Sequence, residues 1–327
     1  MAEYRLMRAA EAPVVLAMVG DPAYQAARFA TDPAAHAHTY VAVAPDGTIV
    51  STLHYHLTVR RDADGRPRRV GEIDSVVTRA AARRQGHATR LLRLALDALH
   101  AAGCAWSLLV ATDAGRPLYE RAGYRCYPEP WRRGTITGAL PQRDRRYVMR
   151  PYDPPQELAG WDQIATVDVA FNRRRPLTVV RDVAYWRGYA AWRVGNWITD
   201  EGLVIFGAFR SEAASRLCGF ACAEFYPAAF QVRDIGVLPE EAGVTLALLT
   251  AVAAEAGRRA IPLVGRMYLP QAPPIDTALD RLFGPTVYAG QDQGQVMART
   301  IAADFTQRHL DAIFDAPGAH LSAIDLF

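Results

Sequence analysis

Apolar positions follow two periods along the chain, and each change of period marks an element. Tyr4-Arg5-Leu6-Met7 reads as a short strand. The helical pattern AAEAPVVLAMV follows, then a second helical stretch from Asp21 to Ala30, whose Asp21-Pro22 pair suits a cap and first turn. The period then shortens. TYVAVAPDGTIVSTLHYHLTVR is rich in β-branched and aromatic residues, with Asp46-Gly47 as a hairpin signal, and a further turn at 62–67 leads into RRVGEIDSVVT. Strands near 39–44, 48–60 and 69–78 are therefore expected to form an antiparallel meander.

The stretch VVTRAAARRQGHATRLLRLALDALHAAGCAWSLLVAT runs strand, basic turn, long helix, strand. In the helix, Ala88, Leu91, Leu92, Ala95 and Leu99 recur at three- and four-residue intervals, so one face packs on a sheet, and Gly103 ends it. The short helix DAGRPLYERAGY and the strand GYRCYP come next. After the strand RRYVMR, Pro151, Pro154 and Pro155 signal a boundary. Beyond it the order repeats: helices near 156–170 and 180–190, the strands GLVIFGAFR, RLCGFACAEFYP and FQVRDIGVL, a helix from Glu240, the strand IPLVGRMYL, and a short helix from Asp276 to Phe283. The expected class is α/β of the α+β kind, with two domains in tandem, each a mostly antiparallel mixed sheet flanked by helices. The expected divisions are 1–152, 153–300, and a C-terminal helix and tail over 301–327.

Composition then narrows the class. Of 327 residues, 50% are hydrophobic and 22% charged, which excludes disorder, collagen and coiled coil. The 37 basic and 34 acidic residues leave +3, far from a dedicated nucleic-acid binder, and Arg173-Arg174-Arg175 reads as a solvated turn. No stretch approaches the roughly 18 to 20 apolar residues of a membrane span, and the start lacks a signal peptide's apolar core. A cytoplasmic protein with neither membrane nor nucleic acid as partner is expected. Cys104, Cys126, Cys218 and Cys222 show no CxxC spacing and are expected to be reduced and mostly buried.

The basic turn has a physical use. Arg83-Arg84-Gln85-Gly86-His87-Ala88 places backbone N–H groups at a helix N-terminus, where they have no partner within the helix and carry the positive end of its dipole. Gly86 permits close approach of an anion, and Arg79, Arg83 and Arg84 add charge suited to phosphates. GxGxxG is missing and no GKS or GKT follows, so neither the Rossmann fingerprint nor the P-loop applies.

The pattern RxxGxA in Arg83, Gly86 and Ala88, between a strand and a long helix, together with LYERAGY at 118–124, closely resembles the GNAT superfamily of acyl-CoA-dependent N-acyltransferases over roughly residues 3–150. The resemblance implies tandem GNAT-like domains and acetyl-CoA as acyl donor, with no metal. It implies that the backbone amides of Arg84, Gln85, Gly86, His87, Ala88 and Thr89, with Arg83, hold the pyrophosphate. It further implies that the strand Val76-Val77-Thr78 pairs with the pantetheine arm, and that Thr112 belongs to the same cofactor-binding set. Tyr119 takes the position of the family's proton donor to the departing thiolate. A carboxylate on the preceding strand removes the amine's proton in many members, and Glu72 and Asp74, two apart on one face, are the candidates here, Glu72 first. The family's usual proline near Ala80 is absent.

Acetyl transfer to an amine needs a neutral amine, a donor for the oxyanion, and a proton for the leaving thiolate. The expected function is direct transfer from acetyl-CoA to a primary amine of a small molecule or peptide, without a covalent enzyme intermediate. A non-catalytic acyl-CoA-binding regulatory module on the same fold is the alternative. His54 and His56 alternate on one strand and suggest a sheet-face or substrate-cleft role, since two histidines without a third ligand make a poor metal site. Residues 21–38 and the segment Tyr185 to Trp197 are expected to wall the acceptor site.

In the second half, Leu238-Pro239-Glu240-Glu241-Ala242-Gly243 stands where the phosphate turn should be, and two carboxylates with no offsetting arginine are expected to repel a pyrophosphate. This half is expected to shape the cleft only. An active first domain with a degenerate second one is similar to the enhanced-intracellular-survival type of acetyltransferase, without its sterol-carrier-like domain. The amphipathic tail helix carrying Phe305, Leu310, Ile313 and Phe314 is expected to dock on the second half or on another copy in a homo-oligomer, although the resemblance also lets the carboxylate of Phe327 enter the active site.

Overall fold

The computed structural model describes residues 1–20, 35–157, 159–190, 202–241 and 243–322. Twelve strands form one mixed sheet in the order β1-β2-β3-β4-β5-β12-β6-β11-β10-β9-β8-β7. The first half supplies β1 (Glu3–Leu6), β2 (Thr39–Val43), β3 (Ile49–Arg61), β4 (Pro67–Thr78), β5 (Trp106–Val110) and β6 (Arg125–Thr135). Its helices are α1 (Ala12–Val19), α2 (His87–Ala101) and α3 (Arg116–Arg121). Then follow β7 (Tyr147–Pro151), α4 (Gly160–Asn172), β8 (Val204–Arg210), β9 (Ala213–Tyr226), β10 (Ala229–Val237), α5 (Val244–Arg258), β11 (Val264–Met267), α6 (Pro273–Phe283), β12 (Tyr288–Thr300) and α7 (Gln307–Phe314). The expected second helix at 21–30 lies outside the described residues. Among the described residues no helix is long and apolar enough to cross a membrane.

The middle of the sheet joins the halves by exchange. β12, late in the chain, lies antiparallel between β5 and β6, while β6 pairs in turn with β11. Each half therefore receives a strand from the other, and β7 lies at the far edge beside β8. Parallel pairing occurs at β4–β5 and at β10–β11, the equivalent place in each half.

Both faces of the sheet are covered. On the first half, Leu91, Leu92, Ala95 and Leu99 of α2 pack on Leu53, Ile73 and Leu109, as the apolar spacing requires. On the second half, α5 and α6 bury Leu248, Leu249, Val252, Leu279 and Phe283 against β8, β10 and β11. The tail departs from expectation. Phe305, Leu310 and Ile313 pack with Val70, Trp106, Leu108 and Val296, so α7 docks on the first half's strands and on β12. Stacking of Phe305 on Trp106 at 5.2 Å explains the choice, because among the described residues no other helix covers the apolar back of β4 and β5. Further on, Ser322 Oγ donates to Asp234 Oδ2 at 2.5 Å, which ties the tail to the second half. Phe327 lies outside the described residues. Cys104, Cys218 and Cys222 are buried and Cys126 is exposed, and none of the four forms a disulfide.

Candidate active site

The site grows from the divergence of β4 and β5. They pair from Val70↔Trp106 to Ile73↔Leu109, yet β4 continues to Thr78 with no further pairing on that side among the described residues. Two irregularities bend it away. The β3–β4 register slips between Thr52 and His54, and Ser75 adopts φ 50°, a left-handed conformation uncommon for serine. Val76, Val77 and Thr78 are consequently half-buried along an open sheet edge, where an extended chain can add as a strand.

β4 ends in the basic turn. A single turn of 3₁₀-helix, Ala80–Ala82, leads to Arg83, whose Nε donates to Thr78 O at 3.2 Å. Arg84 and Gly86 both have positive φ, 63° and 82°, so the chain curls around Gln85 before α2 begins. Such alternation turns successive N–H groups toward one concavity at the helix N-terminus, which favours an anion. Gly86 brings no side chain to cap the helix. Arg83, Arg84, Gln85 and Thr89 are exposed around it, and Ala88 is half-buried. His87 contributes main chain only, since its ring turns inward and its Nδ1 lies 2.9 Å from the Tyr4 hydroxyl.

Tyr119 lies on α3, buried in the core of the first half and close enough to Asp74 to feel its charge. Thr112, which is exposed, accepts the N–H of Gly115 on its Oγ1 at 3.2 Å and so shapes the entry to α3. A Cβ at Gly115 would stand 3.3 Å from the Tyr119 ring, so glycine there lets the phenol seat itself. Tyr119 is 7% exposed and packs edge-on against Tyr124. Burial pushes its phenol up to about 12, with the Asp74 carboxylate adding to the shift. The two groups are thus electrostatic neighbours, and Tyr119 keeps its proton throughout the neutral range.

The two carboxylates have different surroundings. Glu72 is 2% exposed and accepts hydrogen bonds from Arg60 Nε at 2.5 Å and Thr58 Oγ1 at 2.6 Å. Arg60 is itself buried and donates to Leu177 O at 2.9 Å, so Glu72 belongs to a structural ion pair that joins β3 to the chain after α4. Asp74 lies farther toward the diverging end, with His56 Nε2 2.8 Å from its Oδ2. His56, expected to have only a sheet-face or substrate-cleft role, is thus the partner of Asp74. The register, which closes at Arg61↔Pro67, sets His56 opposite Glu72 and His54 opposite Asp74, and this could have been read from the 62–67 turn.

That register also supplies the third ligand that spacing along the chain did not offer. His54, His56 and Asp74 hold ligand atoms within 4.8 Å of one another. His54 Nδ1 lies 2.8 Å from Thr39 Oγ1 and His56 Nε2 2.8 Å from Asp74 Oδ2, hydrogen bonds that fix both imidazoles and suit the transfer of a proton.

Of the expected acceptor wall, Ala35–His38 is a 3₁₀ turn whose His38 ring lies 4.8 Å from Tyr55, and residues 21–34 are outside the described residues. Trp186, by contrast, is 1% exposed and packs with Trp161 and Phe220 inside the second half. The turn that replaces the phosphate site in the second half also differs from expectation. Burial alone would raise the Glu241 carboxyl, but hydrogen bonds from Arg210 Nε at 2.5 Å and Tyr147 Oη at 2.8 Å hold it below its usual value. An arginine does offset this carboxylate; it lies 31 residues earlier, on β8.

Comparison with known proteins agrees with this geometry. Residues 9–127 match the model of the acetyltransferase (GNAT) domain. Over those residues the chain is thus similar to GNAT acetyltransferase domains, and the whole has the fold of tandem GNAT proteins. A conserved protein of Enterococcus faecalis V583, described as a probable N-acyltransferase, superposes with a TM-score of 0.70 at 15% identity, covering 92% of this chain and 72% of that one. Eis1 from Mycobacterium abscessus gives 0.60 at 14% identity over 95% and 76% of the two chains. A tandem GNAT protein from the clavulanic acid biosynthesis pathway gives 0.55 at 13% identity, over 92% and 99%. No curated protein sequence matches the chain.

Proposed function

We propose that the protein is an acetyl-CoA-dependent N-acetyltransferase that passes the acetyl group directly to a primary amine of a small molecule or peptide. The observation that carries this reading is the open edge of β4 running into an anion-binding turn, with Tyr119 and Asp74 beside it. In this reading the amides from Arg84 to Thr89, with the side chains of Arg83 and Arg84, hold the pyrophosphate. Val76, Val77 and Thr78 pair with the pantetheine arm, and Thr112 shapes the wall beside it.

The chemistry follows from the neighbours of each group. The His56–Asp74 pair takes the proton of the incoming ammonium or of a relaying water, and the amine nitrogen attacks the thioester carbonyl carbon. The C–N bond forms, the C–S bond breaks, the Tyr119 O–H protonates the departing thiolate, and the second proton of the attacking nitrogen passes through water to the phenolate, which leaves a neutral amide and restores the phenol. Glu72 stands behind Asp74 in this proposal, because its lone pairs are committed to Arg60 and Thr58. Residues 1–152 form the working domain, 153–300 shape the cleft, and α7, within the tail 301–327, closes its back.

Thiol release from acetyl-CoA, measured with a panel of primary amines, tests the proposal alongside CoA binding by calorimetry. Acceleration by at least one amine, with mass spectrometry finding the N-acetyl product, is expected. CoA binding without accelerated release for any amine would overturn catalysis in favour of a binding module.

A further inference from the structure

The second half contains a cavity of about 920 Å³ for which acetyl transfer has no use, within the size range of small-molecule sites. It runs along α5, where Leu246, Ala247, Ala251 and Ala254 fall on one helical face. The small side chains leave room, while Met149 and Phe206 extend the apolar wall. The rim is cationic. Arg143, Arg146, Arg150, Arg258 and Arg281 line the cavity against the single carboxylate of Asp144. Arg146 pairs with Asp144, Arg150 with Glu157 and Arg258 with Glu255. Arg143 and Arg281 have no ion pair among the described residues, and both are exposed at the mouth.

An apolar groove with surplus guanidinium groups at its mouth matches a molecule that is apolar along its length and anionic at one end. We propose that this cavity binds an anionic amphiphile: a medium-length acyl chain lies along α5, and its terminal carboxylate meets Arg143 and Arg281. This site is separate from the β4–β5 cleft and stands whether or not acetyl transfer is confirmed there.

Calorimetry with octanoate, decanoate and dodecanoate on the full chain tests it, with decyltrimethylammonium as the cationic counterpart. One fatty carboxylate per chain is expected, with affinity rising several-fold for each added methylene, roughly fourfold at full burial. The double variant Arg143→Gln/Arg281→Gln changes two exposed side chains and should fold as the wild type. It is expected to weaken decanoate at least tenfold, and Ala251→Trp should abolish binding by filling the groove. Absence of decanoate binding, equal binding by the cationic amphiphile, or binding unchanged in both variants would overturn the proposal. So would a concentration-dependent dimer of the wild type that Ala251→Trp dissolves, since a second copy would then be the occupant.

Discussion

Glu72 and Asp74 stand two residues apart on one strand, and their partners separate their roles. Removing the charge of Glu72 breaks its buried ion pair with Arg60, and breaking such a pair typically costs about 3–5 kcal/mol. Glu72→Gln is therefore expected to lower the melting temperature by on the order of 10 °C, read by calorimetry. Asp74→Asn should instead keep the melting temperature and cut turnover by ~100-fold, the usual scale of a lost general base. A reversed pattern would return the base to Glu72. Tyr119→Phe is expected to reduce turnover by a similar ~100-fold while the acetyl-CoA Kd stays within about twofold, because the ring packing survives and only the proton donor is lost. At this scale the sequence already offered Asp74, Tyr119 and the turn from Arg83 to Thr89 as candidates for the proposed site. It ranked Glu72 first because the competition of Arg60 for that carboxylate becomes visible only once the β3–β4 register brings the two together.

Elements were legible wherever their pattern was self-sufficient. The β2–β3–β4 meander, α2 with its apolar stripe, and the repeated order in the second half all follow from local periodicity and turn residues. The two central strands were legible only in part. The start of β6 was expected in GYRCYP, but Pro128 and Pro130 argue against its continuing as an interior strand, and the segment GQDQGQ within β12 has no apolar alternation. Both prolines are tolerated because β6 pairs with β11 only over Arg132–Thr135, leaving the proline stretch with β12 alone, and the β6–β12 register breaks beside Pro128, between Asp292 and Val296. The turn into α2 is a second element-level device. Gly86 holds φ 82° with open space where a Cβ would stand, so a side chain there is refused by backbone conformation and not by crowding. Gly86→Val should therefore displace the amides that follow and raise the Kd for CoA about tenfold or more, measured by calorimetry, with the melting temperature lowered only slightly. Unchanged CoA affinity would remove this turn from the binding site.

For the molecule as a whole, reciprocal exchange of β6 and β12 makes two halves into one cooperative structure. A fragment ending at residue 152 lacks β12, so β5 and β6 lose the strand between them and present bare edges. The same fragment also lacks α7, which covers Val70, Trp106 and Leu108. Such a chain buries too little of its back face to stay folded, whereas the intact chain should melt in one calorimetric transition. Soluble expression of residues 1–152 as a monomer that binds CoA would show that the exchanged strand is dispensable. High pH should weaken the intact fold in a defined window. Burial first of all pushes the phenols of Tyr55, Tyr119, Tyr147 and Tyr152, spread over both halves, up to about 12. The unfolded chain releases these protons near its ordinary value of about 10, so their contribution is intact below that pH and is lost as pH rises through the folded values. Melting temperature should accordingly fall between about pH 10 and 12, and tyrosinate absorbance should appear together with unfolding across both halves. Tyrosinate appearing ahead of unfolding would mean that these phenols are wetter than their packing implies.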